Sequence, residues 1–296
     1  MHTSTDDQGA LERTAIHPDT TLGPVALAVA DAERSLRFYR DLLGFQVLRT
    51  EGQQLVLGVA DVPLLTLIAQ AGLRPKPRAA TGLYHVAILL PGRADLARVL
   101  QRLLDVRYPI GASDHLVSEA LYLSDPDGNG LEIYRDRPRT AWRRQNDRIQ
   151  MDTLPLDLGD VLSELSRDTR PWNGLPPGTR IGHIHLQVAD LGTAKAFYHG
   201  VLGFDVVSQM PGALFLSAGG YHHHIGLNTW HSAGAAPPPP DTAGLRSFVV
   251  ELPDAAALEP VRARIAAAGL PIHEHEAGLA MQDPWQNTVI LRASAR

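Results

Sequence analysis

One stretch of this chain occurs twice, and that repeat limits the folds open to it. VALAVADAERSLRFYRDLLGFQV, from Val25 to Val47, returns as IHLQVADLGTAKAFYHGVLGFDV, from Ile184 to Val206. The offset that carries Asp31 onto Asp190 also carries Phe38-Tyr39 onto Phe197-Tyr198 and Gly44-Phe45 onto Gly203-Phe204. Each copy reads as a strand with alternating apolar residues, a helix with an apolar stripe, and a glycine turn into a second strand. A weaker repeat follows each copy: YHVAILLPGRADLARVLQRLLD from Tyr84 and SFVVELPDAAALEPVRARIAAAG from Ser247, aligned on Pro91 and Pro253. Both lead into a late turn and strand, DPDGNGLEIY from Asp125 and DPWQNTVILR from Asp283. Self-similarity of this kind marks an array of like units, here four βαβββ modules at roughly 22–72, 80–137, 180–230 and 244–294.

The expected fold class is therefore α+β, with the modules arranged as two tandem two-module domains. The division read from the sequence is a flexible N-terminal extension (1–20), an N-terminal domain (21–137), a linker (138–179) and a C-terminal domain (180–296). Within the linker, TLPLDLGDVLSELS suits a short helix, and APPPP (Ala236 to Pro240) is a stiff loop between modules three and four.

Composition narrows the chemistry. With 44% hydrophobic residues over 296 positions, there is enough apolar material for two ordinary cores. A net charge of -5 and the lack of any basic block argue against nucleic acid or an anionic membrane as partner. The opening MHTSTDDQGALERTAIHPDT has no apolar signal region, and no apolar run reaches membrane-spanning length, so a cytoplasmic location is expected. There is no cysteine, which removes disulfides, thiolate metal sites and cysteine nucleophiles together. His, Asp and Glu are left as metal ligands.

The modules resemble the vicinal-oxygen-chelate superfamily, which includes glyoxalase I, the extradiol dioxygenases and the bleomycin- and fosfomycin-resistance proteins. The pattern carrying the resemblance is the xVxDxxxAxxFYxxxLGF of module three, matched more loosely in module one. It implies small curved sheets that pair to form a cup, with metal ligands on the first strand and a late strand of each module. A narrower motif lies in module two: His115, LVSEA, Leu121-Tyr122, LS, Asp125-Pro126, Asp127, Gly128, NGL, Glu132. It resembles the extradiol dioxygenase signature from its histidine onward, departing only at Ser113, and the wording as a whole is similar to bacterial catechol 2,3-dioxygenases of the CatE type.

Module by module, the ligand positions of that family are unevenly filled. Module three offers His183, while its counterpart in module one is Pro24. Module two offers His85 and the late-strand Glu132, while module four has Ser247 and Ile290 there. Modules two and three together supply two histidines and one carboxylate, the facial triad of non-haem iron(II) oxygenases. Strand alternation places His183, His185 and Gln187 on one face, opposite Ile184, Leu186 and Val188. By the same rule His85 opposes Tyr84, Val86 and Ile88, and Glu132 opposes Leu131 and Ile133. One complete site thus requires module two to meet module three, within a chain or across a dimer.

The resemblance implies extradiol ring cleavage of a small aromatic diol by dioxygen, with iron(II) as cofactor (manganese(II) being compatible with the same ligands) and a homo-oligomeric assembly. It further implies an acid–base role for His223, a hydrogen bond from Tyr122 near the substrate oxygen, and His115 closing the substrate side. Alternation within YHHHIGLN separates His223 from His222 and His224 but leaves open which face lines the cup. Three other functions compete with this reading. A para-diol (hydroquinone) dioxygenase differs only in cup shape. A glyoxalase-like metal lyase needs a fourth ligand, for which Gln187 is the nearest candidate, and a metal-free binding module would explain only the gaps in modules one and four.

Overall fold

The computed structural model describes residues 15–145 and 148–294. Each of the four modules has the strand–helix–three-strand order read from the repeat. Asp31, Asp190 and Asp254 cap three of the module helices, each accepting a hydrogen bond from the backbone amide three residues on. In modules one and three the helix closes in a wider π turn, Arg37–Leu42 and Ala196–Val201, that carries the Phe-Tyr pair inward. Phe38, Tyr39, Phe197 and Tyr198 are all buried there.

Each buried tyrosine hydroxyl reaches an aspartate in the next module. Tyr39 donates to Asp125 at 2.9 Å, and Tyr198 donates to Asp283 at 2.8 Å. Asp125 also accepts the backbone N–H groups of Asp127 and Asn129, and Asp283 those of Trp285 and Asn287. The DPDGN and DPWQN turns are therefore structural locks between consecutive modules.

Sheet pairing cuts across this linear coupling. One nine-stranded sheet joins modules two and three through antiparallel pairing of Gly82–Leu90 with Arg180–Gln187. On its outer flanks Gly82–Leu90 pairs in parallel with Gly130–Asp136, and Arg180–Gln187 with Ile225–Asn228. An eight-stranded sheet joins modules one and four in the same manner, through Thr21–Val29 and Gly244–Leu252. Module two meets module three within a single chain, as the ligand count requires. The apolar faces of both sheets and the helices share one core, which includes Val25, Leu27, Val86, Ile88, Ile184, Leu186, Phe248 and Val250.

Of the expected N-terminal extension, residues 1–14 lie outside the described residues. Ile16 is buried, and its amide donates to the Gly203 carbonyl at 2.9 Å. The linker holds the expected short helix, Leu158–Ser163, as well as the strand Leu154–Pro155. That strand adds to Gly111–Asp114 at one edge of the nine-stranded sheet. Among the described residues, no helix is long and apolar enough to cross a membrane.

Candidate metal centre

The centre is assembled from neighbouring strands of the nine-stranded sheet. Glu132 and His183 both stand opposite Ala87, one on each flanking strand, and Tyr122 stands opposite Glu132 on the next strand out. His85 lies two residues before Ala87 and so shares its face. The small methyl of Ala87 lets a carboxylate and an imidazole meet above it. His85 Nε2 and His183 Nε2 each lie 3.0 Å from Glu132 Oε2. All three residues are buried, and their candidate ligand atoms lie within 4.8 Å of one another.

This donor set fits a divalent transition cation. Ligand atoms about 2.1 Å from a metal and at right angles to one another stand about 3 Å apart. His85 Nε2 is buried and, although 3.0 Å from Glu132 Oε2, makes no contact of hydrogen-bonding geometry among the described residues, a costly state unless something else satisfies it. Burial pulls the His183 pKa down to about 4, and His85 adds to that effect, so His183 is the neutral imidazole a metal needs. Glu132 is held well below the usual carboxylate range, because the His183 and His85 rings outweigh the opposing effect of its burial.

Two chains of polar contacts surround this cluster. On one side, the Asp152 carbonyl can only accept, so His115 Nδ1 donates to it at 2.8 Å and Nε2 is left to take the Tyr122 hydroxyl at 2.6 Å. Burial, with Glu132 close by, raises the Tyr122 pKa far above its ordinary value, so the phenol keeps its proton. On the other side, His222 Nε2 donates to Asp136 Oδ1 at 2.9 Å. His222 Nδ1 then accepts from His223 Nδ1, also at 2.9 Å, which leaves His223 Nε2 as a free base. The His223 ring lies against that of His183, tilted by 46° with centroids 4.1 Å apart. Glu132, Tyr134 and Asp136 follow at intervals of two along one strand, so the same face carries the carboxylate of the cluster and the anchor of the His222–His223 pair.

A cavity of about 880 Å³ opens over the cluster, lined by His85, Glu132, His115, Tyr122, His222 and His223 among others. All the sequence-derived candidates except His183 border it directly, and His183 closes the cluster from below at 1% exposure.

Two features differ from what alternation implies. Tyr84 was expected on the helix side, but a register shift between His185 and Leu186 turns it to the cavity rim, where its ring lies 5.3 Å from that of His85. Tyr221 to His224 form an irregular turn, so alternation does not apply: His222 and His223 both line the cavity, while His224 Nδ1 accepts from the Ala218 amide. Gln187, the nearest candidate for a fourth ligand, has its Oε1 engaged by Lys76 Nζ at 2.6 Å. Phe215 and the linker segment Met151–Thr153 border the site with no local sequence signal that marks them, and Asp136 anchors it. For Asp136, the period of two from Glu132 was the available clue.

A family model for the Glyoxalase/Bleomycin resistance protein/Dioxygenase superfamily matches residues 21–133 and 180–290. The Catechol-2,3-dioxygenase of Bacillus subtilis (strain 168) is 46% identical over 277 residues, which cover 92% of this chain and 96% of that protein. Among solved structures, a candidate dioxygenase from Bacillus subtilis superposes with a TM-score of 0.64 at 13% identity, covering 96% of this chain and 87% of the other. Glyoxalase I from Zea mays superposes at 0.55 and 15% identity, with 92% of each chain covered. At these identities the superpositions establish the shared fold.

Proposed function

Because this chain belongs to the glyoxalase/bleomycin resistance protein/dioxygenase superfamily, we propose that it cleaves the ring of a catechol-type diol with dioxygen in the extradiol manner, using iron(II) held by His85, Glu132 and His183. The observation that carries this reading is the convergence of two imidazole nitrogens on one carboxylate oxygen, 3.0 Å from each, under a cavity lined with further acid–base groups. The 46% identity to a protein named Catechol-2,3-dioxygenase supports the substrate class. In such a reaction both oxygen atoms enter the product, the ring bond beside the diol breaks, and no outside reductant is consumed. Bound iron, held by these three residues, would bind the diolate and dioxygen and supply a path for electrons between them.

The chain's own residues then divide the remaining work. His223 Nε2, left unprotonated by the Asp136–His222 contact, takes a proton from the diol and returns it later in the cycle. Tyr122 holds its proton at the edge of the cluster, where a substrate oxygen would compete with His115 for it. His115, tied to the linker through Asp152, closes that wall.

Anaerobic loading with iron(II) tests the proposal, with manganese(II) loaded in parallel. The expected result is one metal per chain and, on admission of air, uptake of one dioxygen for each catechol consumed. A chain that retains no divalent metal, or that consumes diol without oxygen, would overturn it.

A further inference from the structure

The cavity is far larger than a single ring requires. Cavities of roughly 300–1,000 Å³ enclose drug-sized ligands, so one benzenediol over the metal cluster leaves most of the 880 Å³ unfilled. Beyond the cluster the lining is largely apolar and aromatic, with Tyr108, Ile110, Met151, Met210, Phe215 and Trp230, and its other polar groups include the small hydroxyls of Ser113, Ser118, Ser124 and Thr153. Among the described residues no lysine or arginine lines the cavity, whereas Glu132, Asp125 and Asp152 do. An anionic substituent would meet carboxylates and no cation, and burying an unpaired carboxylate is strongly unfavourable.

A second observation concerns the mouth. Few large apolar side chains in the described structure are exposed, and three of them border this one cavity: Tyr84 at 38%, Met210 at 40% and Trp230 at 47%. The Tyr84 and Trp230 rings meet edge to face, with centroids 5.5 Å apart. Exposed apolar groups gathered at one place mark a surface meant to be covered.

We propose that the substrate is a diol bearing a large, uncharged, apolar substituent that runs from the metal cluster to this rim, and that carboxylated diols are selected against. The inference rests on the ring-cleavage reading for the placement of the diol, and on the cavity wall for the substituent.

The test uses the full chain loaded with iron(II) and four ligands: catechol, a phenylcatechol, a catechol with an isopentyl chain, and its isosteric carboxyethyl counterpart. Binding is followed without air by tryptophan fluorescence, and turnover by oxygen uptake. The isopentyl and phenyl diols should exceed the carboxyethyl diol in both affinity and kcat/KM by on the order of 100-fold, and should also bind more tightly than catechol. Met210→Arg should move the carboxyethyl-to-isopentyl ratio at least about tenfold toward the carboxylate. A carboxyethyl diol handled as well as the isopentyl one, or catechol bound as tightly as either apolar diol, overturns the inference. Selective binding of the apolar diols with no oxygen uptake by any of them would instead sink the ring-cleavage reading and leave the substituent preference standing.

Discussion

His223 is the residue on which chemistry and metal binding can be separated. Its Nδ1 faces His222, and among the described residues no hydrogen bond engages its Nε2, so removing it takes away a base and no ligand of the cluster. His223→Asn should lower kcat by about 10²–10⁴-fold while the iron content of the purified protein stays at the wild-type level. Parallel loss of iron and activity would make His223 a ligand instead. The pair that prepares it could not be read along the chain, because Asp136 and His222 belong to different modules and meet only through the sheet. His85, Glu132 and His183 were legible because each occupies a fixed position in a repeated unit. Tyr84 was misplaced for the opposite reason: a single shift of register reverses the face a side chain takes.

Among the elements, the strand–helix–three-strand unit followed from periodicity and from its capping aspartates, whereas the partner of each sheet edge did not. The structure shows two kinds of coupling, tyrosine-to-aspartate locks between consecutive modules and shared sheets between non-consecutive ones. The locks belong to stability. Tyr39→Phe removes the donor to Asp125, a carboxyl that burial already strains and whose pKa is raised as a result. The loss should be about 1–3 kcal/mol, as expected for a hydrogen bond to a buried carboxyl, and Tyr198→Phe should match it through Asp283. Urea unfolding midpoints equal to wild type in both variants would show that the turns hold without them. Gly182 illustrates a constraint at the level of the strand: a Cβ there would lie 1.8 Å from the Tyr134 hydroxyl, so this position in the central strand must stay bare for the tyrosine to pack beside His183.

For the whole molecule, the concentration of buried imidazoles sets the response to acid. Burial lowers the pKa of His183 to about 4 and of His224 to about 3, and it lowers those of His185 and His223 as well. In the unfolded chain these groups titrate near about 6.5. The unfolded state therefore binds more protons below that value, and the contribution to stability, complete above about 6.5, is lost as the pH falls toward about 4. Asp125 and Asp283, whose pKa values burial raises, act in the opposite direction only closer to their own range. Chelator-treated protein should consequently unfold at lower urea near pH 5.5 than near pH 7.5, and a flat or inverted profile would refute the assignment of neutral buried rings. The same crossing of halves that gathers these rings has a further consequence. A chain built by doubling, with each half lending one module to each of two equivalent sheets, carries two chances to make a centre and needs only one. Among the described residues the sheet of modules one and four, with Pro24, Ser247 and Ile290 at the matching positions, holds no counterpart of the His85, Glu132 and His183 cluster, and its part is to prop up its twin.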